Sequence, residues 1–100
     1  MQYNIIPHKE AQQKLKSHIR FMKNVSYSVA EKIYNEYKNS LVSLSENPHS
    51  GLRYEHKSNK NLKYKLFYKQ RYRIVFEIIE NNVYIYDIQD CRQDTDKKLL

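Results

Sequence analysis

Lys63 and Lys65, then Arg71 and Arg73, stand at i, i+2 spacing inside two runs of strand-forming residues. Alternate residues of a strand share one face, so this spacing can line cations along one side of a sheet. The anion such a surface suits is phosphate, and at this scale that means nucleic acid. Arg73 and Arg92 have the planar guanidinium that holds a phosphate bidentately. Lys63, Lys65, Lys69, Arg71 and Arg53 are further candidates for holding it. Lysines on an exposed strand are also commonly solubilising.

Alternation supplies a register. A three-residue loop of Tyr68, Lys69 and Gln70 sets Lys65 opposite Arg73 and Phe67 opposite Arg71. Tyr64, Leu66, Tyr72, Ile74, Phe76 and Ile78 then share the core face, and Lys63, Lys65, Arg71 and Arg73 share the other. A two-residue turn at Asn81-Asn82 pairs Arg73 with Asp90 and adds Arg92 to the basic face. That turn also aims Asp87 at the core, which a bulge or a one-residue slip would relieve while moving Arg92.

The elements that must carry these residues are legible. Tyr3 to Ile6 reads as a strand closed by Pro7. Ala11, Leu15, Ile19 and Met22 recur at helical spacing over 8–23. A second helix over 26–46 buries Ala30, Ile33, Tyr37, Leu41 and Leu44. It starts near Ser26 or Ser28, with Ser28 and Glu31 at capping-box spacing. Asn47-Pro48 ends it, and Gly51 follows where a turn needs a permissive backbone. Arg53 to Lys60 is polar, a loop or ragged edge strand. Three strand-like runs complete the order: Lys63 to Tyr68, Arg71 to Ile79 and Val83 to Ile88. The expected fold is α+β, β-α-α-β-β-β, with a four-stranded, mostly antiparallel sheet packed against a helical hairpin.

Composition narrows the chemistry. Eighteen Lys and Arg against eleven Asp and Glu give +7, which favours nucleic acid, an anionic surface or an acidic protein as partner. One glycine leaves no phosphate-binding glycine loop, so ATP-driven chemistry is not expected. His8, His18, His49 and His56 lack metal-ligand spacing, and no metal or other cofactor is expected. Cys91, the single cysteine, excludes an internal disulfide and fits a reducing compartment. No apolar run approaches the ~20 residues that cross a bilayer. Residues 1–100 read as one soluble, cytoplasmic domain with no membrane partner.

Tyr72, Arg73, Ile74, Val75 and Phe76 form a YR-I/L-V-F/Y motif, and Cys91-Arg92 closes the strand region. With the order of elements, these residues resemble the RelE/ParE superfamily of bacterial type II toxin–antitoxin toxins, over nearly the whole chain. The resemblance implies a microbial-ribonuclease-like fold and a labile antitoxin that wraps the toxin; the charge of the chain suggests that this partner is acidic and partly disordered. RelE-like members are endoribonucleases (mRNA interferases) that cut messenger RNA in the ribosome; ParE-like members poison DNA gyrase. The RelE pattern carries catalysis on a lysine pair and an arginine, which correspond to Lys63, Lys65 and Arg73, with a later arginine matched by Arg92. The related YoeB toxins close on CR-x-H-Y, where this chain has Asp94 and Thr95 in place of His and Tyr. That departure leaves the general acid unassigned. Ribosome-dependent cleavage of messenger RNA ranks first, gyrase inhibition second, and a catalytically silent partner-binding module third.

Overall fold

A computed structural model describes residues 2–92. The chain runs β1 (Asn4–Pro7), α1 (Lys9–Val25), α2 (Tyr27–Glu46), a 3-10 turn (Pro48–Ser50), β2 (Leu52–Arg53), β3 (Lys63–Phe67), β4 (Tyr72–Ile79) and β5 (Asn82–Asp90). The sheet has five strands in the order β1-β5-β4-β3-β2. Only β1 runs parallel to its neighbour; the other pairings are antiparallel. The α+β architecture and the helical hairpin match the expectation. The fifth strand is the two-residue β2, too short for any alternation to reveal.

Both helices lay their apolar stripes on one face of the sheet. Ala11, Leu15 and Met22 from α1 and Ala30, Ile33, Tyr37 and Leu44 from α2 meet Phe67, Tyr72, Ile74, Phe76, Val83, Ile85 and Ile88. Ser26 caps α2, its Oγ accepting from the Val29 N–H at 3.3 Å, so Ser28 is not the cap. Among the described residues, the opposite face is covered only in part. There Tyr54 and Leu62, from the loop between β2 and β3, bury Val75 with help from Tyr64 and Tyr86.

The register of β3 on β4 differs by one residue from the expected one. Lys65 lies opposite Ile74 and Leu66 opposite Arg73, while Phe67 pairs with Tyr72. The connection is one residue longer than expected because Arg71 also leaves the strand, its N–H donating to the Tyr68 carbonyl at 2.9 Å. Tyr68, Lys69 and Gln70 all take left-handed φ values of 50, 55 and 62°. Tyr68 is buried, and its N–H donates to Glu36 Oε1 on α2 at 2.9 Å. Core packing decides the slip. Phe67 stacks on Tyr72 at 5.5 Å and meets Tyr37 at 5.9 Å, which a solvent-facing Phe67 would forfeit. Because one step in register exchanges faces, Tyr64 and Leu66 move to the open face, and Lys63 and Lys65 move to the margin of the helix face.

The β4–β5 turn also differs. Ile79 pairs with Asn82, so Glu80 and Asn81 form the turn, and Glu80 holds the positive φ of 57°. A bulge then places Tyr86 as an extra residue between the Val75–Asp87 and Phe76–Ile85 pairs. It carries Asp87 to the open face and returns Ile88 to the core, the relief that the buried carboxylate required.

Candidate functional site

Arg73 sits on the open face between Leu66 and Gln89. Its Nε–H donates to Gln89 Oε1 at 2.6 Å, and its guanidinium lies 5.0 Å from the Tyr54 ring centroid and 5.7 Å from that of Tyr64. Gln89 Nε2 donates in turn to Tyr54 Oη at 3.2 Å and to Asp87 Oδ2 at 2.9 Å. Lys14 of α1 pairs with Asp87 Oδ1 at 3.6 Å. Aromatic faces attract a guanidinium, and the amide fixes its plane. Arg73 is therefore oriented by its neighbours, as a brace between β4 and the loop that carries Tyr54.

The other sequence-selected cations are elsewhere. Lys63 and Lys65 are half-buried on the opposite face of the sheet from Arg73, and Lys63 Nζ donates to the Gly51 carbonyl at 3.4 Å. Arg71 is turned inward: Nη2 pairs with Asp90 Oδ2 at 3.6 Å and the guanidinium lies 5.3 Å from the Tyr72 centroid. Arg92 is exposed beyond β5, its backbone N–H donating to Asp90 Oδ1 at 2.9 Å. Lys69 is exposed in the left-handed loop, 5.6 Å from the Tyr68 ring. Arg53 is exposed on β2, beside Glu55 at 3.6 Å. The single basic face is thus divided into three places. Arg71 pairs with Asp90 while Arg92 lies exposed just beyond it, Arg53 and Lys63 line one cleft, and Arg73 stands among tyrosines. Asp94 and Thr95 lie outside the described residues.

Two phenols near these groups hold their protons. Burial, and then a 2.7 Å hydrogen bond from its hydroxyl to Glu77 Oε1, pushes Tyr86 up to about 12. Burial raises Tyr72 as well, with Arg71 pulling the other way. Among the described residues, no group of three or more His, Cys, Asp or Glu could hold a metal ion. Sequence reasoning missed Tyr54, Tyr64 and Gln89. Tyr54 left one signal, as the lone aromatic in the polar run from Arg53 to Lys60.

The sequence profile of the ParE toxin of the type II toxin–antitoxin system parDE matches residues 5–95. The chain belongs to the ParE toxin family. A search of curated protein sequences finds no match. Among solved structures, this ParE-family chain is similar to the chromosomal ParDE system of P. aeruginosa, with a TM-score of 0.71 at 10% identity, over 89% of this chain and 96% of that one. It is also similar to an arginine-to-alanine double mutant of the E. coli toxin RelE in the free state, with a TM-score of 0.60 at 16% identity over 100% of both chains. The isolated E. coli RelE toxin gives 0.57 at 15% identity, over 98% of this chain and 99% of that one. These structures share the fold. No helix among the described residues is long and apolar enough to cross a membrane.

Proposed function

We propose that this ParE-family toxin arrests growth by binding DNA gyrase in the cytoplasm, and that an acidic antitoxin neutralises it. The observation that carries the reading is the β3–β4 register. Metal-free RNA cleavage needs a group to take the 2′-OH proton, a stabiliser for the phosphate and an acid for the leaving oxygen, all around one phosphate. Lys63 and Lys65 lie across the sheet from Arg73, which itself is engaged by Gln89 and two tyrosine rings. A toxin that acts by occupying its target requires no such constellation. The alternative, ribosome-dependent cleavage of messenger RNA, rests on Arg73 within the Tyr72–Phe76 motif.

A supercoiling assay with purified gyrase and relaxed plasmid, run beside primer-extension mapping of messages after induction, tests the proposal. Inhibited supercoiling with intact messages is expected. Arg73→Gln, which keeps the apolar stem, should leave growth arrest in place. If Arg73 stabilised a transition state, that substitution would instead lower cleavage by roughly 10²–10³-fold. Full-rate supercoiling together with messages cut within codons would overturn the reading.

A further inference from the structure

We infer that the basic cleft at the β2 end of the sheet grips the phosphate backbone of duplex DNA. This deepens the gyrase reading, since duplex DNA is the material gyrase handles, and it rests on that reading for its biological setting. The cleft has two lobes of about 330 Å³ each, divided by Arg53 and Lys60, which line both. Tyr54, His56 and Lys57 complete one lobe; His49, Lys63 and Ile78 help to complete the other. Among the described residues, four full cations thus face one acidic residue, Glu55, which pairs with Arg53.

The loop behind this cleft is built, although it has no regular structure. Tyr54 N–H donates to the Leu62 carbonyl at 2.9 Å, pinching the loop shut, and both side chains are buried against the sheet. Asn59 Nδ2 reaches Glu77 Oε1 on β4 at 3.2 Å, and its Oδ1 accepts from Asn61 N–H at 2.9 Å. His56 Nδ1 accepts from the Ser58 N–H at 3.2 Å. The imidazole proton then resides on Nε2, which makes that edge a donor. The short polar side chains fasten the loop, while Lys57 and Lys60 stay exposed.

The occupant follows from the spread of charge and from the want, among the described residues, of an open tyrosine, phenylalanine or tryptophan face in the cleft. Single-stranded nucleic acid is held on aromatic platforms as well as by charge. The one tyrosine lining these lobes, Tyr54, is buried, carries Arg73 over its ring and has His56 stacked on it at 6.5 Å. Tyr54 therefore offers no open ring face to a base. Cations spread over two adjoining lobes match a run of successive phosphates, the sequence-independent part of duplex recognition.

Anisotropy of a short fluorescein-labelled duplex with the purified toxin, across roughly 50–200 mM salt, tests this. Four phosphate contacts give an expected log–log slope of about −3 to −4. Lys57→Gln and Lys60→Gln should each flatten the slope by about 1, with unchanged circular dichroism. Lys16→Gln, Arg20→Gln and Lys23→Gln, on the exposed basic flank of α1, should leave it unchanged. The inference fails if the loop variants keep the full slope, if the α1 variants carry it, or if single-stranded RNA of the same length binds more tightly. DNA binding without gyrase inhibition would sink the gyrase reading alone. Gyrase inhibition by a toxin that does not bind the duplex would sink this inference alone.

Discussion

Gly51→Ala should destabilise the fold, although the backbone at this position accepts alanine. Gly51 has φ −63° and ψ 153°, ordinary extended values. On that ground alone, alanine would stabilise by about 0.4–1 kcal/mol through a less free unfolded chain. The obstacle is space. A Cβ there would stand 2.5 Å from Phe76 Cζ and 3.1 Å from Cε1, and the Phe76 ring is fully buried with no room to swing. Overpacking of this kind costs about 1–3 kcal/mol. The two effects leave a net loss of about 0–2.6 kcal/mol, centred a little above 1. Urea unfolding followed by far-UV circular dichroism measures it, and a Phe76→Leu background supplies the control. With the ring tip gone, Gly51→Ala should become neutral or mildly stabilising, a coupling of about 1–3 kcal/mol between the two sites. A stabilising Gly51→Ala in the otherwise wild-type chain, or a penalty undiminished by Phe76→Leu, would refute the reasoning.

Three further outcomes follow from the register and the buried groups. Phe67→Ala should cost about 3–5 kcal/mol in the same unfolding assay, well above Leu66→Ala, and the reverse order would restore the alternative register. Arg71→Met should cost about 3 kcal/mol by removing the guanidinium partner of buried Asp90, and adding Asp90→Asn should recover much of it; a cycle with no coupling would count against the pair. Tyr86 has a folded value of about 12, above its ordinary 10, so its contribution is whole below pH 10 and is lost as pH rises from about 10 to about 12. Stability profiles should therefore fall less steeply over that window in Tyr86→Phe than in the wild type, and parallel profiles would argue against this role for Tyr86.

The helices were legible because Ala11, Leu15 and Met22, and Ala30, Ile33, Tyr37 and Leu44, repeat at the period of a helix with one buried side. The sheet was legible as a kind of structure but not in its pairing. Lysines have long apolar stems that tolerate either side of a strand, so segregating Lys63 and Lys65 with the arginines looked as sound as burying Phe67. What decides the register is core packing, Phe67 against Tyr72 and Tyr37, with Tyr68 following it inward in a left-handed conformation and anchored by Glu36 from α2. No local pattern announces a contact 32 residues away in sequence. The Asp87 conflict was readable as a conflict, and the Tyr86 bulge is its resolution. A lone glycine after a proline turn points to backbone freedom at Gly51, whereas the structure uses its lack of a side chain.

The parallel pairing of β1 with β5 joins Asn4 to Asn82 and Pro7 to Ile85. Synthesis proceeds from the first of these residues toward the last, so β1 waits without its partner while both helices and the intervening strands are made. β5 also holds β4 along eight paired positions and packs against α1. Long-range parallel pairing is slow to form, and here it cannot begin until β5 has been made. A growing chain therefore has the hairpin of a toxin before it has the sheet that presents a working surface. A cognate antitoxin that recognises the completed sheet would therefore meet its target only once β5 has been made.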